Sequence, residues 1–173
     1  FGNVEQASEC RKAEIESGAW GCYRAEVDFF AGAATWSGSN LPDGAVVLSR
    51  KPRHFYVLSG HRSRAFPFDE DPAALFSLAD ELGARYVLLD QWDGLASLYV
   101  GSALRREPGA FCFVSGFGSV REGGVQLLGI LPPGERFLRE VADVRDIRTC
   151  PPDYTGAGDT QVDYYSSSGR IPL

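Results

Sequence analysis

Apolar and polar positions alternate along the chain in short blocks, each with its own period. Residues 4–16 are polar and helix-compatible, with Val4, Ala7, Cys10 and Ile15 giving a thin apolar side. Residues 24–38 carry Val27, Phe30, Ala31, Ala34 and Trp36 at helical spacing, and Gly38 and Pro42 end the run. Residues 45–48 are continuously apolar after a Pro-Asp-Gly turn, the pattern of a strand covered on both faces. Pro52 stops that strand, 54–59 suit one or two helical turns ending at Gly60, and 64–68 suit a short extended piece. Asp71-Pro72 is a helix start, because Asp accepts first-turn amides and Pro is pre-shaped for the first helical position. Leu75, Leu78, Ala79 and Leu82 then line one face, with Phe76 beside them, and Gly83 closes the helix. Residues 86–89 are a second buried strand. Asp93 caps a helix over 93–104 with Leu95, Leu98, Tyr99 and Leu104 on its core side. Segments 110–117 and 125–131 read as two strands joined in a hairpin. Beyond Pro132 the pattern decays. Residues 135–144 are helix-compatible, and 150–173, rich in Pro, Gly, Ser, Asp and Tyr, predict an irregular tail.

This order predicts an α/β fold: a small mixed sheet with a parallel βαβ centre, a terminal antiparallel hairpin and flanking helices. Strands 45–48 and 86–89 should be adjacent, parallel and central, with 72–82 as the right-handed crossover. Three segments follow: an N-terminal helical hairpin over 1–23, the α/β domain over 24–131, and a largely irregular C-terminal extension over 132–173.

Composition narrows the class. The chain has 173 residues, 44% of them hydrophobic, enough for a packed core. A net charge of −6 argues against nucleic acid as the partner. No apolar run approaches the roughly 18–20 residues of a membrane span, and no signal-peptide pattern is present. Opening on Phe1 and containing no methionine, the chain reads as a piece of a longer or processed product. Its four cysteines include no Cys-x-x-Cys pair, and two histidines are too few to favour a zinc site. Cys10 and Cys22 flank a turn between helical stretches. Cys112 lies in a strand, and Cys150 precedes Pro-Pro in a region poor in core residues. Three pairings are open. Cys10–Cys22 and Cys112–Cys150 are expected, the first stapling a hairpin and the second pinning the tail, and both point to an oxidising, extracytoplasmic compartment. Buried free thiols in a cytosolic protein are the other reading.

Catalytic patterns are sparse. Gly116-Phe117-Gly118 lacks the third glycine and following helix of a dinucleotide fingerprint. Ser59 and His61 are sequence neighbours, whereas a nucleophile and its base normally come from separate elements. Asp69-Glu70-Asp71 reads as a solvated loop with one helix cap, ahead of acid–base or cation-binding work. Trp92 suits packing better than a sugar platform. Asp90 follows a central strand, at the edge where open α/β sheets gather ligands. No catalytic residue and no cofactor are implied.

The basic segment stands out. Arg50, Lys51, Arg53, His54, His61, Arg62 and Arg64 occur without an acid among them, interleaved by Tyr56. A solvated face paired with Asp69–Asp71 accounts for them in one reading. In the other they bind an anionic group such as a phosphate or lipid headgroup. The expected ligand-binding set is Arg50 and Arg53 first, with Lys51, Tyr56, His61, Arg62 and Asp90.

Several ordered motifs complete the sequence reading. They are the Ala33, Ala34, Trp36 helix, Leu-Pro-Asp-Gly-Ala-Val-Val (41–47), Ser-Arg-Lys-Pro (49–52), and Tyr56 with Leu58-Ser59-Gly60. Gly-Ala-Arg-Tyr-Val-Leu-Leu-Asp (83–90) and the hairpin follow. From about Phe29 to Ile130, over half the chain, this order resembles the C-terminal soluble domain of polytopic C-type-fold membrane glycosyltransferases. These are relatives of the dolichyl-phosphate-mannose protein mannosyltransferases and the bacterial aminoarabinose transferases. The resemblance implies a non-catalytic domain outside the membrane, tethered to a parent that uses a polyprenyl-phosphate-linked sugar. That family's catalytic acids lie in a loop of the membrane part, so none carries over. The implied partners are the membrane part of the parent chain and an anionic lipid or polyprenyl phosphate. The alternative is a free-standing secreted α/β binding module for a carbohydrate or anionic ligand.

Overall fold

A computed structural model describes residues 2–136, 141 and 143–156. The fold is mixed α/β. Two helices, α1 (Gly2–Ser17) and α2 (Ala25–Asn40), precede strand β1 (Val46–Leu48). Then come α3 (Pro52–Ser59), β2 (Arg62–Arg64), α4 (Pro72–Leu82), β3 (Tyr86–Leu89), α5 (Leu95–Arg106), β4 (Phe111–Phe117) and β5 (Val125–Ile130). The sheet order is β2-β1-β3-β5-β4. β1 is parallel to both β2 and β3, while β5 runs antiparallel to β3 and β4. No described helix is long and apolar enough to cross a membrane.

Strand alternation divides the core in two. Val46, Leu48, Val87, Leu128 and Ile130 face one side, where Leu75, Phe76 and Ala79 of α4 and Ala96, Val100, Ala103 and Leu104 of α5 cover them. Val47, Tyr86, Leu88 and Leu127 face the other, under Phe30, Ala33 and Ala34 of α2 and Phe55 of α3. The result is a three-layer sandwich. Strands β1 and β3 read as unbroken apolar runs because both of their faces are covered.

The expected central pair is present: Val47 stands opposite Tyr86, and Leu48 opposite Val87, in parallel register. The connection between them differs from the expectation. β1 leads first through α3 to β2 at the sheet edge. α4 then returns from β2 across β1 to β3. The extended piece expected at 64–68 is instead β2 at Arg62–Arg64, set by pairing with β1 rather than by any apolar pattern. The two crossovers run in opposite directions along the sheet and lie on opposite faces, so they share one hand.

Local signals behaved as their chemistry requires at α4. The Asp71 carboxylate accepts the Ala73 amide at 3.0 Å, and Gly83 takes the left-handed conformation at φ 63°. The helix expected over 93–104 is Leu95–Arg106, with Gly94 at its cap position and the Asp93 carboxylate accepting the Leu95 amide at 3.2 Å. Of the helix expected over 135–144, residues 137–140 and 142 lie outside the described residues, and 144–146 form a 3-10 turn. Residues 157–173 of the expected tail also lie outside them.

Both expected disulfides are formed, Cys10–Cys22 and Cys112–Cys150, each with Cα atoms 4.8 Å apart. The second does more than pin a tail. Residues 148–150 run along the outer side of β4: the Phe113 amide donates to Arg148 C=O (2.9 Å), and the Cys150 amide to Phe113 C=O (2.8 Å). That covers an otherwise open sheet edge. The region after Cys150 was expected to be poor in core residues. Instead Tyr154 is fully buried, its hydroxyl donating to Ile130 C=O at 2.9 Å and its own carbonyl accepting from Tyr86 at 2.9 Å.

Candidate functional site

The chain leaves β1 toward the α2/α3 face and leaves β3 toward the α4/α5 face. Adjacent parallel strands whose connections part to opposite faces create a crevice at their carboxyl ends, where open α/β sheets bind ligands. Ser49, Arg50 and Lys51 follow β1 at that edge, and Asp90, Trp92 and Asp93 follow β3.

The turn after β1 is held by Ser49, which is buried and accepts the Lys51 amide on its hydroxyl at 3.2 Å. The turn after β3 is held likewise: Asp90 Oδ1 accepts the Trp92 amide at 3.0 Å. Across the crevice, Asp93 Oδ2 stands 2.9 Å from Arg50 Nε and 3.4 Å from Lys51 Nζ. The Arg50 contact lies off the N–H direction, so it is an ion pair rather than a directed hydrogen bond. Arg50 also covers the Phe68 ring at 5.3 Å, and Lys51 the Trp92 ring at 5.3 Å. Both cations are therefore engaged, with Asp93 and not with the Asp69–Asp71 run. Asp93, read from sequence as a helix cap, also serves two cations.

Beside this strap lies Asp90, with no surface exposed and, among the described residues, no hydrogen-bond partner for Oδ2. Burial pushes its carboxyl up to about 6; the Trp92 amide opposes that shift, Asp93 adds to it, and Lys51 and Arg50 counter it.

The rest of the basic segment lies elsewhere. Arg53 and Tyr56 on α3, with Arg62 and Arg64 on β2, border an open groove of about 750 Å³. Val46, Pro52, Val57, Ser63 and Leu82 supply its remaining walls. Tyr56 is 55% exposed and Val57 79%. Arg64 C=O accepts the Ser49 amide at 2.9 Å, so its backbone faces β1, and strand alternation turns the Ser63 N–H and C=O to the open side. Among the described residues no carboxylate lies within ion-pair distance of Arg53, Arg62 or Arg64. Arg64, not in the expected binding set, is thus part of the groove.

His61 joins neither place. It is buried, its Nε2 3.1 Å from Ser37 C=O, and it ties the start of β2 to α2. α2 and α3 also approach closely there. A Cβ on Gly38 would stand 2.7 Å from Ser59 C=O, so the glycine is what admits the contact. The seven expected residues therefore divide into Arg50, Lys51 and Asp90 at the crevice, Arg53, Tyr56 and Arg62 at the groove, and His61 in the core.

No protein-family model, curated protein or solved structure matches the chain. Among the described residues, no group of three or more His, Cys, Asp or Glu side chains is placed to hold a metal ion. The chemistry the two places offer is cationic: a pair of cations held next to a buried carboxyl, and three arginines that have no carboxylate partner among the described residues, beside apolar walls.

Proposed function

We propose that this chain is a non-catalytic extracytoplasmic accessory domain of a polytopic membrane glycosyltransferase that uses a polyprenyl-phosphate-linked sugar. Its edge groove takes the phosphate-bearing end of a lipid. The observation that carries this reading is the groove itself. In a chain of net charge −6, Arg53, Arg62 and Arg64 stand, among the described residues, without carboxylate partners around walls built from Val46, Val57, Tyr56 and Leu82. Guanidinium groups bind phosphate oxygens in pairs, and the apolar walls suit the first segments of a hydrocarbon chain. The outward Ser63 amide adds a backbone donor. Two disulfides support an oxidising compartment.

The assignment is tested by flotation of the chain with three kinds of vesicle: neutral phosphatidylcholine, the same lipid with phosphatidylglycerol, and the same lipid with undecaprenyl phosphate. Binding is expected to both phosphate-exposing mixtures, more tightly to undecaprenyl phosphate, and to weaken with added salt. Exchanging Arg53 and Arg62 for alanine is expected to weaken it at least about tenfold, an effect of ~1.4 kcal/mol, without altering the circular dichroism. Binding that survives the double substitution defeats the groove assignment. The alternative, a secreted free-standing binding module, draws on the same disulfides. The reading frame upstream separates the two: many apolar spans for the membrane enzyme, a lone signal peptide for the module.

A further inference from the structure

A second recess lies across the sheet from β2, where α2 meets the end of β4 and the disulfide-stapled turn. It is a trough of about 680 Å³, within the roughly 300–1,000 Å³ of small-molecule sites. Four aromatic side chains border it, Trp20 from the turn, Phe29 and Trp36 from α2, and Phe117 from β4. All four are half-buried. Trp36 meets Phe117 edge to face at 5.7 Å, and the Phe29 ring rests on Gly118, where a Cβ would come within 2.3 Å of it. Packing thus holds Phe29, Trp36 and Phe117 in place.

Two polar side chains are among the described residues that line it. Asp28 and Thr35 are exposed on α2, and among the described residues neither side chain has a hydrogen bond or ion pair. Ser37 and Ser59 show what a helical hydroxyl ordinarily does, donating to the carbonyl four residues back at 2.7 Å. Among the described residues no lysine, arginine or histidine lines the trough.

Gly32 is the telling residue. It sits in the middle of a sixteen-residue helix, where glycine is a poor choice. Packing does not require it, for a Cβ there would meet nothing within 4 Å. Gly38, six residues on, is forced by its neighbour; Gly32 is not. What the missing side chain does at position 32 is keep the floor of the trough open between Asp28 and Thr35, which lie one turn either side on the same helix face.

We infer that this trough binds a neutral oligosaccharide, its ring faces stacking on Trp20 and Trp36 and its hydroxyls donating to Asp28 and bonding Thr35. An anion would be repelled by Asp28, with no basic side chain among the described lining residues to offset it. A wholly apolar ligand would strip water from Asp28 and Thr35 and return nothing to them. A sugar satisfies both demands, having C–H faces for the rings and hydroxyls for the polar pair. The site does not depend on the phosphate-binding groove, and the two readouts are separate.

The test uses the full chain, isotope-labelled, with cellotriose, mannotriose and chitotriose as probes and the three indole N–H signals as reporters. Millimolar additions of at least one probe are expected to shift Trp20 and Trp36 and to leave Trp92, which packs on Phe30 and His54, unmoved. Gly32→Leu fills the floor from an open helical position. It is expected to unfold at or above the parent's temperature while weakening binding at least about tenfold. Asp28→Ala is expected to weaken it several-fold, with Asp28→Asn in between. The inference is overturned if no probe moves Trp20 or Trp36 by about 10 mM. It is equally overturned if Gly32→Leu binds as the parent does, or if tetramethylammonium moves these indoles and the sugars do not.

Discussion

Alanine at both Cys112 and Cys150 is expected to lower the stability of the chain by ~4 kcal/mol, by the loop-entropy relation for their separation of 38 residues. The bridge joins a core strand to the segment that seals its open edge. Without it the pairing of residues 148–150 with Phe113, and the seat of Tyr154 between Tyr86 and Ile130, rest on their hydrogen bonds and packing with no covalent tie. Gly129 reports on the same place. A Cβ there would stand 2.5 Å and 2.6 Å from the two sulfur atoms and 2.7 Å from the Tyr154 ring, so Gly129→Ala should be comparably damaging. The Cys10–Cys22 bridge gives the contrast. It closes a loop of 12 and is worth ~3 kcal/mol on the same relation. It holds α1, however, which supplies no residue to either core among those described. Its loss should free the hairpin and leave the main transition in place. Denaturant melts of the two double-alanine variants decide this. If the first variant keeps the parent midpoint, the tail is not part of the core.

What was legible in the sequence was whatever the local pattern controls. Strands β1 and β3 announce themselves because burial on both faces leaves no polar position. α4 does so because Asp71, Pro72 and Gly83 each satisfy a backbone need at one helix end. β2 does not, because Arg-Ser-Arg at a sheet edge has no apolar alternation, and only its register with β1 makes it a strand. Missing β2 also hid the route of the crossover, which swings to the edge before returning. The basic segment was visible as a charge run, but its division was not. α3 begins at Pro52, directly after Lys51, and turns Arg53 and Tyr56 away from the crevice. His61 is drawn into the core by a carbonyl 24 positions earlier. Tyr154 and the aromatic trough were equally hidden. The first is a single aromatic residue among prolines and glycines, and the second gathers Trp20, Trp36 and Phe117 from three separate elements.

Between about pH 4 and 6 the chain should lose stability as pH rises, by as much as ~3 kcal/mol, and Asp90 is the cause. Its carboxyl titrates at about 6 in the fold, against ~3.9 in an unfolded chain. Across that window the folded state keeps a proton that the unfolded state has released, so rising pH favours unfolding. The stabilisation is fully present below the unfolded value and gone above the folded one. Asp143 is shifted the other way, down to about 2 by Arg145, so its effect falls below this window and has the opposite sign. The same titration alters the crevice. With Asp90 protonated, Arg50 and Lys51 face only the single charge of Asp93, and the strand ends carry one net positive charge; with Asp90 ionised they carry none. Asp90→Asn keeps an oxygen for the Trp92 amide and cannot ionise. Its new amide group takes the place of the unpartnered Oδ2, at a cost of about 1–3 kcal/mol for an unmet buried donor. The variant should therefore be the weaker of the two at pH 4 and comparable to the parent, or stronger, at pH 7. Its stability should be flat between them. Urea melts at half-unit pH steps read this directly. A parent that holds steady or gains from pH 4 to 6, or an Asp90→Asn variant that still declines there, places the titrating group elsewhere.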